Sequence, residues 1–190
     1  MSHTSALESA LRAHLQKTFP DQAITALDVD PLGRLVPFAP DFRVLEVRPS
    51  PDSPVWTYVT CGASQIRHPN SEPLELLTVT SERSERVAQL LTMAAYYHAT
   101  QTLGLHHLFG LGEAWIEGSP LTAGYISLPY PWGPGLESFD AGDQRVNVYW
   151  LMPISQAERE LARRGGADAL EQRFEDAEVA YWDLHRGSVV

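Results

Sequence analysis

The stretch Arg145 to Ala177, RVNVYWLMPISQAERELARRGGADALEQRFEDA, constrains the fold more tightly than any other part of the chain. Val146, Val148, Trp150 and Met152 share one face of an extended segment, and Tyr149 and Leu151 take the other. Apolar side chains on both faces predict a strand buried on both sides, near the middle of a sheet. Pro153 cannot donate to a ladder, so the strand is expected to stop there. Ser155 and Glu158 then form an S-x-x-E capping box at a helix start. That helix is expected to end at Gly165-Gly166, where the left-handed conformation is cheapest. A second helix carries Leu170 and Phe174 on one face and runs to about Ala177.

The remaining elements follow from period and punctuation. Ser5 and Glu8 form another capping box, Leu7, Leu11 and Leu15 share a helix face, and Pro20 ends that run. Prolines at 20, 31, 37, 40, 49, 51 and 54 reduce the next segment to short strand-like pieces, Ala23–Val29 and Phe42–Val47, expected at sheet edges. Val55–Cys61 and Leu74–Thr80 are stronger strands, separated by a polar turn around His68-Pro69-Asn70. From Ser84 to Leu103, Val87, Leu90, Leu91, Ala94, Ala95 and His98 make one apolar stripe of a long helix that Gly104 terminates. Ala114–Glu117 and Gly124–Leu128 read as strands joined by the turn Gly118-Ser119-Pro120. The PYPWGPG loop, Pro129–Gly135, interrupts regular structure, and the tail from Trp182 packs back on the domain. Helices and strands mix without regular alternation, which predicts an α+β fold, a mixed sheet with helices packed against it.

Charge narrows the function. The chain of 190 residues has a formal net charge of -10. Between Arg86 and Arg145 there is no Lys or Arg, while Glu113, Glu117, Glu137, Asp140 and Asp143 all fall there. Binding to phosphate backbones needs clustered cations, so nucleic acid is excluded as a partner. An acidic surface favours a basic protein partner. No run reaches the roughly 18 apolar residues that span a bilayer. The N-terminus lacks the basic start and apolar block of a secretory signal, and the lone Cys61 has no partner for a disulfide, so a cytoplasmic location is expected.

No residue set makes a convincing catalytic site. His106-His107 with Glu113 and Asp140 is the metal-dependent hydrolase alternative, but adjacent histidines rarely share one ion, and neither a metal nor another cofactor is expected. His98 on an apolar stripe reads as a hydrogen-bonded core histidine, and Cys61 as a small buried hydrophobe. Gly110-Leu111-Gly112 lacks the third glycine, the lysine and the strand–turn–helix context of a phosphate loop. Asp140 and Asp143 read as turn formers that also contribute to an acidic contact face. In the PYPWGPG loop, prolines restrict the chain around Tyr130 and Trp132, residue types enriched at binding hot spots. Tyr130, Trp132, Glu137, Asp140 and Asp143 are therefore the expected protein-binding residues.

Several motifs recur in one order along the chain: WTYVT-x-G-x-S at Trp56–Ser64, Glu75-Leu76, LL-x-x-x-A-x-Y at Leu90, Leu91, Ala95 and Tyr97, and G-x-P at Gly118–Pro120. They continue with L-x-PI-x-x-AE at Leu151–Glu158 and R-x-SVV at Arg186–Val190. This order resembles the suppressor of fused (SUFU) domain family over residues 40–190, with residues 1–39 as a helix and proline-rich lead-in of the same globular unit. The resemblance implies a single mixed α/β domain that binds proteins and has no enzymatic activity. In animals the family member restrains Gli-type transcription factors by gripping an extended peptide. Bacterial relatives are stand-alone domains, many of them immunity proteins of polymorphic toxin systems. The Gli-contacting residues lie partly in a C-terminal half that this chain does not match, so none is carried over. The expected function is an immunity-type module masking a basic protein, with a structural homodimer through open sheet edges as another reading.

Overall fold

The computed structural model describes residues 5–30, 32–69 and 71–190; Pro31 and Asn70, both expected in turns, lie outside the described residues. An eight-stranded sheet orders its strands β1 (Ile24–Leu27), β2 (Arg43–Val47), β3 (Trp56–Cys61), β4 (Leu74–Thr80), β8 (Gln144–Ser155), β6 (Leu121–Ser127) and β5 (Leu108–Gly110). β7 (Ser138–Ala141) joins as a hairpin on the first part of β8. The first four strands form an antiparallel meander, and β4 runs parallel to β8.

β8 is central, as its two apolar faces require. Val146, Val148, Trp150 and Met152 enter one core, shared with α1 (Ala6–Thr18) and α3 (Gln156–Asp176). Tyr149 and Leu151 enter the other, beneath α2 (Glu85–Gln101). Helices thus cover both faces of a mixed sheet, a single α+β domain.

Local signals place most helix ends. Ser5 accepts from the Glu8 N–H and Ser84 from the Val87 N–H, and Ser155 with Glu158 completes a reciprocal capping box. The break expected at Gly165-Gly166 is present: Gly166 has φ 83° and ψ 176°, and the helical direction resumes beyond it to carry Leu170 and Phe174 inward.

Five expectations are corrected. β8 continues through Pro153, paired with Gly124 of β6. The Pro153 carbonyl faces the other way and accepts from Arg186 Nη2 at 3.0 Å. A strand residue points N–H and C=O to the same side, so the missing N–H falls where β4 no longer pairs and costs no ladder bond. β2 lies one strand inside the edge; its flanking prolines, Pro40 and Pro49, stand outside Arg43–Val47. α2 ends before Gly104, at Thr102 with φ 58°, where the Leu103 N–H donates to His98 Nδ1 at 2.9 Å. Ala114–Glu117 is irregular: Gly112 and Gly118 turn the chain at positive φ, and the strand of this region is Leu108–Gly110 instead. Within Ala114–Glu117, Trp115 is buried and donates its Nε1–H to the Ala123 carbonyl at 2.8 Å. Asp140, expected in a turn, belongs to β7 and pairs with Arg145; the turn itself is Gly142-Asp143.

Candidate functional site

α3 crosses the sheet so that its second half leaves a groove of about 770 Å³ against β6, β8 and the loop after β6. Trp150, Met152 and Phe174 make the floor, Tyr130 and Pro131 one wall, and Val179, Tyr181 and Trp182 the other. Asp168, Glu171, Glu175 and Glu178 supply the charge, and no Lys or Arg lines the groove. None of these four carboxylates forms an ion pair among the described residues. The aromatic walls are mutually braced: Trp150 and Tyr181 meet edge to face at 4.8 Å, as do Tyr181 and Trp182.

Glu171 is the most constrained of the acids. Its Oε1 accepts from the Tyr125 hydroxyl at 2.7 Å and the Ser127 hydroxyl at 3.0 Å, both on buried β6 residues. Tyr125 has only one proton to give, so His106 Nδ1, 2.9 Å from the same oxygen, must donate to it. Tyr130 is 54% exposed. Burial of its ring, then the charges of Glu171, Glu137 and Asp168, push its phenol above the ordinary value.

The expected binding residues are not one patch. Tyr130 lines the groove. Trp132 is half-buried against Phe19, Trp150 and Tyr181 and opens onto a second hollow of about 490 Å³, across Pro131. Glu137 is half-buried near Tyr130, Asp140 lines a separate hollow with His14 and Lys17, and Asp143 is exposed at the hairpin tip. The α3 carboxylates and the Tyr181-Trp182 wall were missed by sequence reasoning. Asp168, Glu171 and Glu175 do recur at helical spacing, which was the available signal.

The residues named for the hydrolase alternative hold other contacts. His106 is engaged by Tyr125, Glu113 is paired with Arg86 at 2.5 Å, and Asp140 lies in the α1 hollow. No three His, Cys, Asp or Glu side chains converge as a cation set among the described residues. Cys61 is buried, and desolvation pushes its thiol up, away from nucleophile chemistry.

His98 is a core residue. It is fully buried, and burial, helped by His68 and His107, lowers its pKa to about 4. An unfolded histidine titrates near 6.5, so the unfolded chain takes up the proton first. Stability therefore falls as pH drops from about 6.5 to about 4, by up to about 1.4 kcal/mol per pH unit from this group. His98→Gln keeps an acceptor for the Leu103 N–H and removes the titration. Urea unfolding at pH 7 and pH 5 is expected to give a shallower pH slope in the variant; equal slopes would assign the acid sensitivity elsewhere.

The chain is thus a mixed sheet clamped between helices, with a groove at its α3 end. The profile described as Suppressor of fused protein (SUFU) matches residues 39–187, and the chain belongs to that family. A solved SUFU homolog from Neisseria gonorrhoeae FA 1090 superposes with a TM-score of 0.84 at 30% identity, covering 97% of each chain. Drosophila Suppressor of Fused matches with a TM-score of 0.70 at 15% identity, over 97% of this chain and 51% of that one. The structure of a Sufu–Fu complex gives 0.72 at 15% identity, over 99% of this chain and 93% of the other. At 15% these two likenesses show the fold. Among curated proteins, the immunity protein YqcF of Bacillus subtilis (strain 168) is 36% identical over 64 residues, which span 33% of this chain and 32% of that protein. Among the described residues no helix is long and apolar enough to cross a membrane.

Proposed function

We propose that the chain is a non-enzymatic, cytoplasmic immunity-type module that masks a basic protein partner, using the groove beside Tyr130. The observation that carries this reading is the set of four groove carboxylates that form no ion pair among the described residues, laid over an apolar floor. Such a surface attracts a basic partner at long range and desolvates apolar contacts at short range. Asp140 and Asp143 lie apart from the groove, and Trp132 braces its wall from behind. Family membership and the local likeness to YqcF support the immunity-type role.

Affinity capture from cells of the source organism, at low and high salt, tests the proposal. A single basic protein is expected, released by salt. Tyr130→Ala is expected to weaken it by about 2 kcal/mol, roughly thirtyfold, because Tyr130 is exposed and supports no core. A partner that is acidic, or insensitive to both salt and Tyr130→Ala, would overturn it. Trp132→Ala is the poorer probe, since Trp132 packs on Phe19, Trp150 and Tyr181.

A further inference from the structure

Resting on the reading of the groove as a protein-binding site, we infer that it receives one arginine side chain, carried on an apolar segment of the partner, with Glu171 as its fixed anchor. Glu171 is held before any ligand arrives. Tyr125 and Ser127 both donate to Oε1, which leaves Oε2 without a donor among the described residues and the carboxylate unable to swing freely. His106 fixes the Tyr125 hydroxyl in turn, so the anchor is braced from β6 and from the turn before β5. A preset acceptor loses little entropy on binding.

The surroundings select the cation. Asp168, Glu171 and Glu175 stand three and four residues apart, so their like charges oppose the helix that carries them. A cation among them relieves that opposition. Tyr130, Tyr181 and Trp182 offer ring surface on both walls. A planar, weakly hydrated guanidinium can stack on such rings and donate to more than one carboxylate, which a compact ammonium does less well. Trp150 is 3% exposed, and its indole N–H has no hydrogen-bond partner among the described residues. The apolar floor of Trp150, Met152 and Phe174 suits the arginine stem and apolar neighbours on either side of it.

The test uses the whole chain and a capped leucine–arginine–leucine peptide, with citrulline and lysine versions as comparisons. Binding is followed by the indole N–H resonances of Trp150 and Trp182 in ¹H–¹⁵N spectra. Saturable shifts at both indoles are expected, with the uncharged citrulline peptide weaker by about tenfold or more and the lysine peptide between the two. Glu171→Gln keeps an acceptor for Tyr125 and Ser127 and is expected to lose about tenfold. Glu160→Gln, a half-buried carboxylate of the same helix outside the groove, is expected to change nothing. Equal binding of the arginine and citrulline peptides, or equal losses in the two variants, would overturn the anchor. The citrulline comparison uses the unaltered protein and does not depend on how Glu171→Gln folds. Arginine-selective binding, together with partner capture that ignores Tyr130→Ala, would support the anchor and remove the partner site from this groove. Tyr130-dependent capture without arginine selectivity would do the reverse.

Discussion

Replacing Arg186 with alanine is expected to destabilise the protein by about 3–5 kcal/mol, read from urea unfolding at pH 7. Glu158 is fully buried and Arg186 is only 8% exposed. The guanidinium grips the carboxylate with two parallel bonds, Nη1 to Oε1 at 2.6 Å and Nη2 to Oε2 at 3.0 Å. It also donates to the Pro153 carbonyl and lies 5.4 Å from the Phe174 ring centroid. The same carboxylate accepts from the Ser155 N–H at the start of α3 and from the Val189 N–H in the tail. Alanine would strand a buried anion and release the tail together. The segment so released continues upstream into Val179, Tyr181 and Trp182, so peptide binding should weaken along with stability. Arg186→Lys keeps the charge without the fork and is expected to fall between. A loss below about 1 kcal/mol in Arg186→Ala would mean that water reaches Glu158 and that the pair is effectively a surface one.

What the sequence made legible follows from how far each signal reaches. Caps and periodicity act within a few residues, and they located α1, α2, the Gly166 break, β3, β4 and the central β8. β5 has three residues and β7 four, too short for period to register. Pro153 misleads because its tolerance depends on where β4 stops pairing, a fact about another strand. The groove was half visible. The PYPWGPG loop is conspicuous as a string, and Tyr130 does line the groove. Three of the four acids facing it lie about 40 residues downstream on α3, and only the crossing of α3 over the sheet brings them there. Counting charges by sequence interval therefore pointed to Asp140 and Asp143, away from the groove, and passed over Glu171.

The motifs that carried the family resemblance have a different meaning, and Glu75 tests it. Glu75 is fully buried on β4, and five donors converge on its carboxylate. Gly62 N–H, Ser64 N–H and Ser64 hydroxyl reach Oε1 at 2.9, 3.2 and 2.7 Å; Thr60 hydroxyl and Ala63 N–H reach Oε2 at 2.6 and 3.1 Å. Gly62 takes φ 121°, and a Cβ there would sit 3.1 Å from the Phe42 Cα, so that turn requires glycine. The threonine, glycine and serine that close WTYVT-x-G-x-S, and the glutamate of the following strand, are one structural knot tying β3 to β4. Arg186, Ser188, Ser155 and Glu158 tie the last two motifs in the same way. These motifs specify the scaffold, which is why they could identify the fold without locating the groove. Burial pushes the Glu75 carboxyl up while the donors pull it down. Glu75→Gln preserves volume but turns one acceptor into an NH₂ group. A hydroxyl can rotate to accommodate that; a backbone N–H cannot. The expected cost is about 2–4 kcal/mol in urea unfolding, and Glu75→Ala, which leaves all five donors without their acceptor, is expected to cost more. A Glu75→Gln protein within about 1 kcal/mol of the parent would show that this turn is not held by its carboxylate.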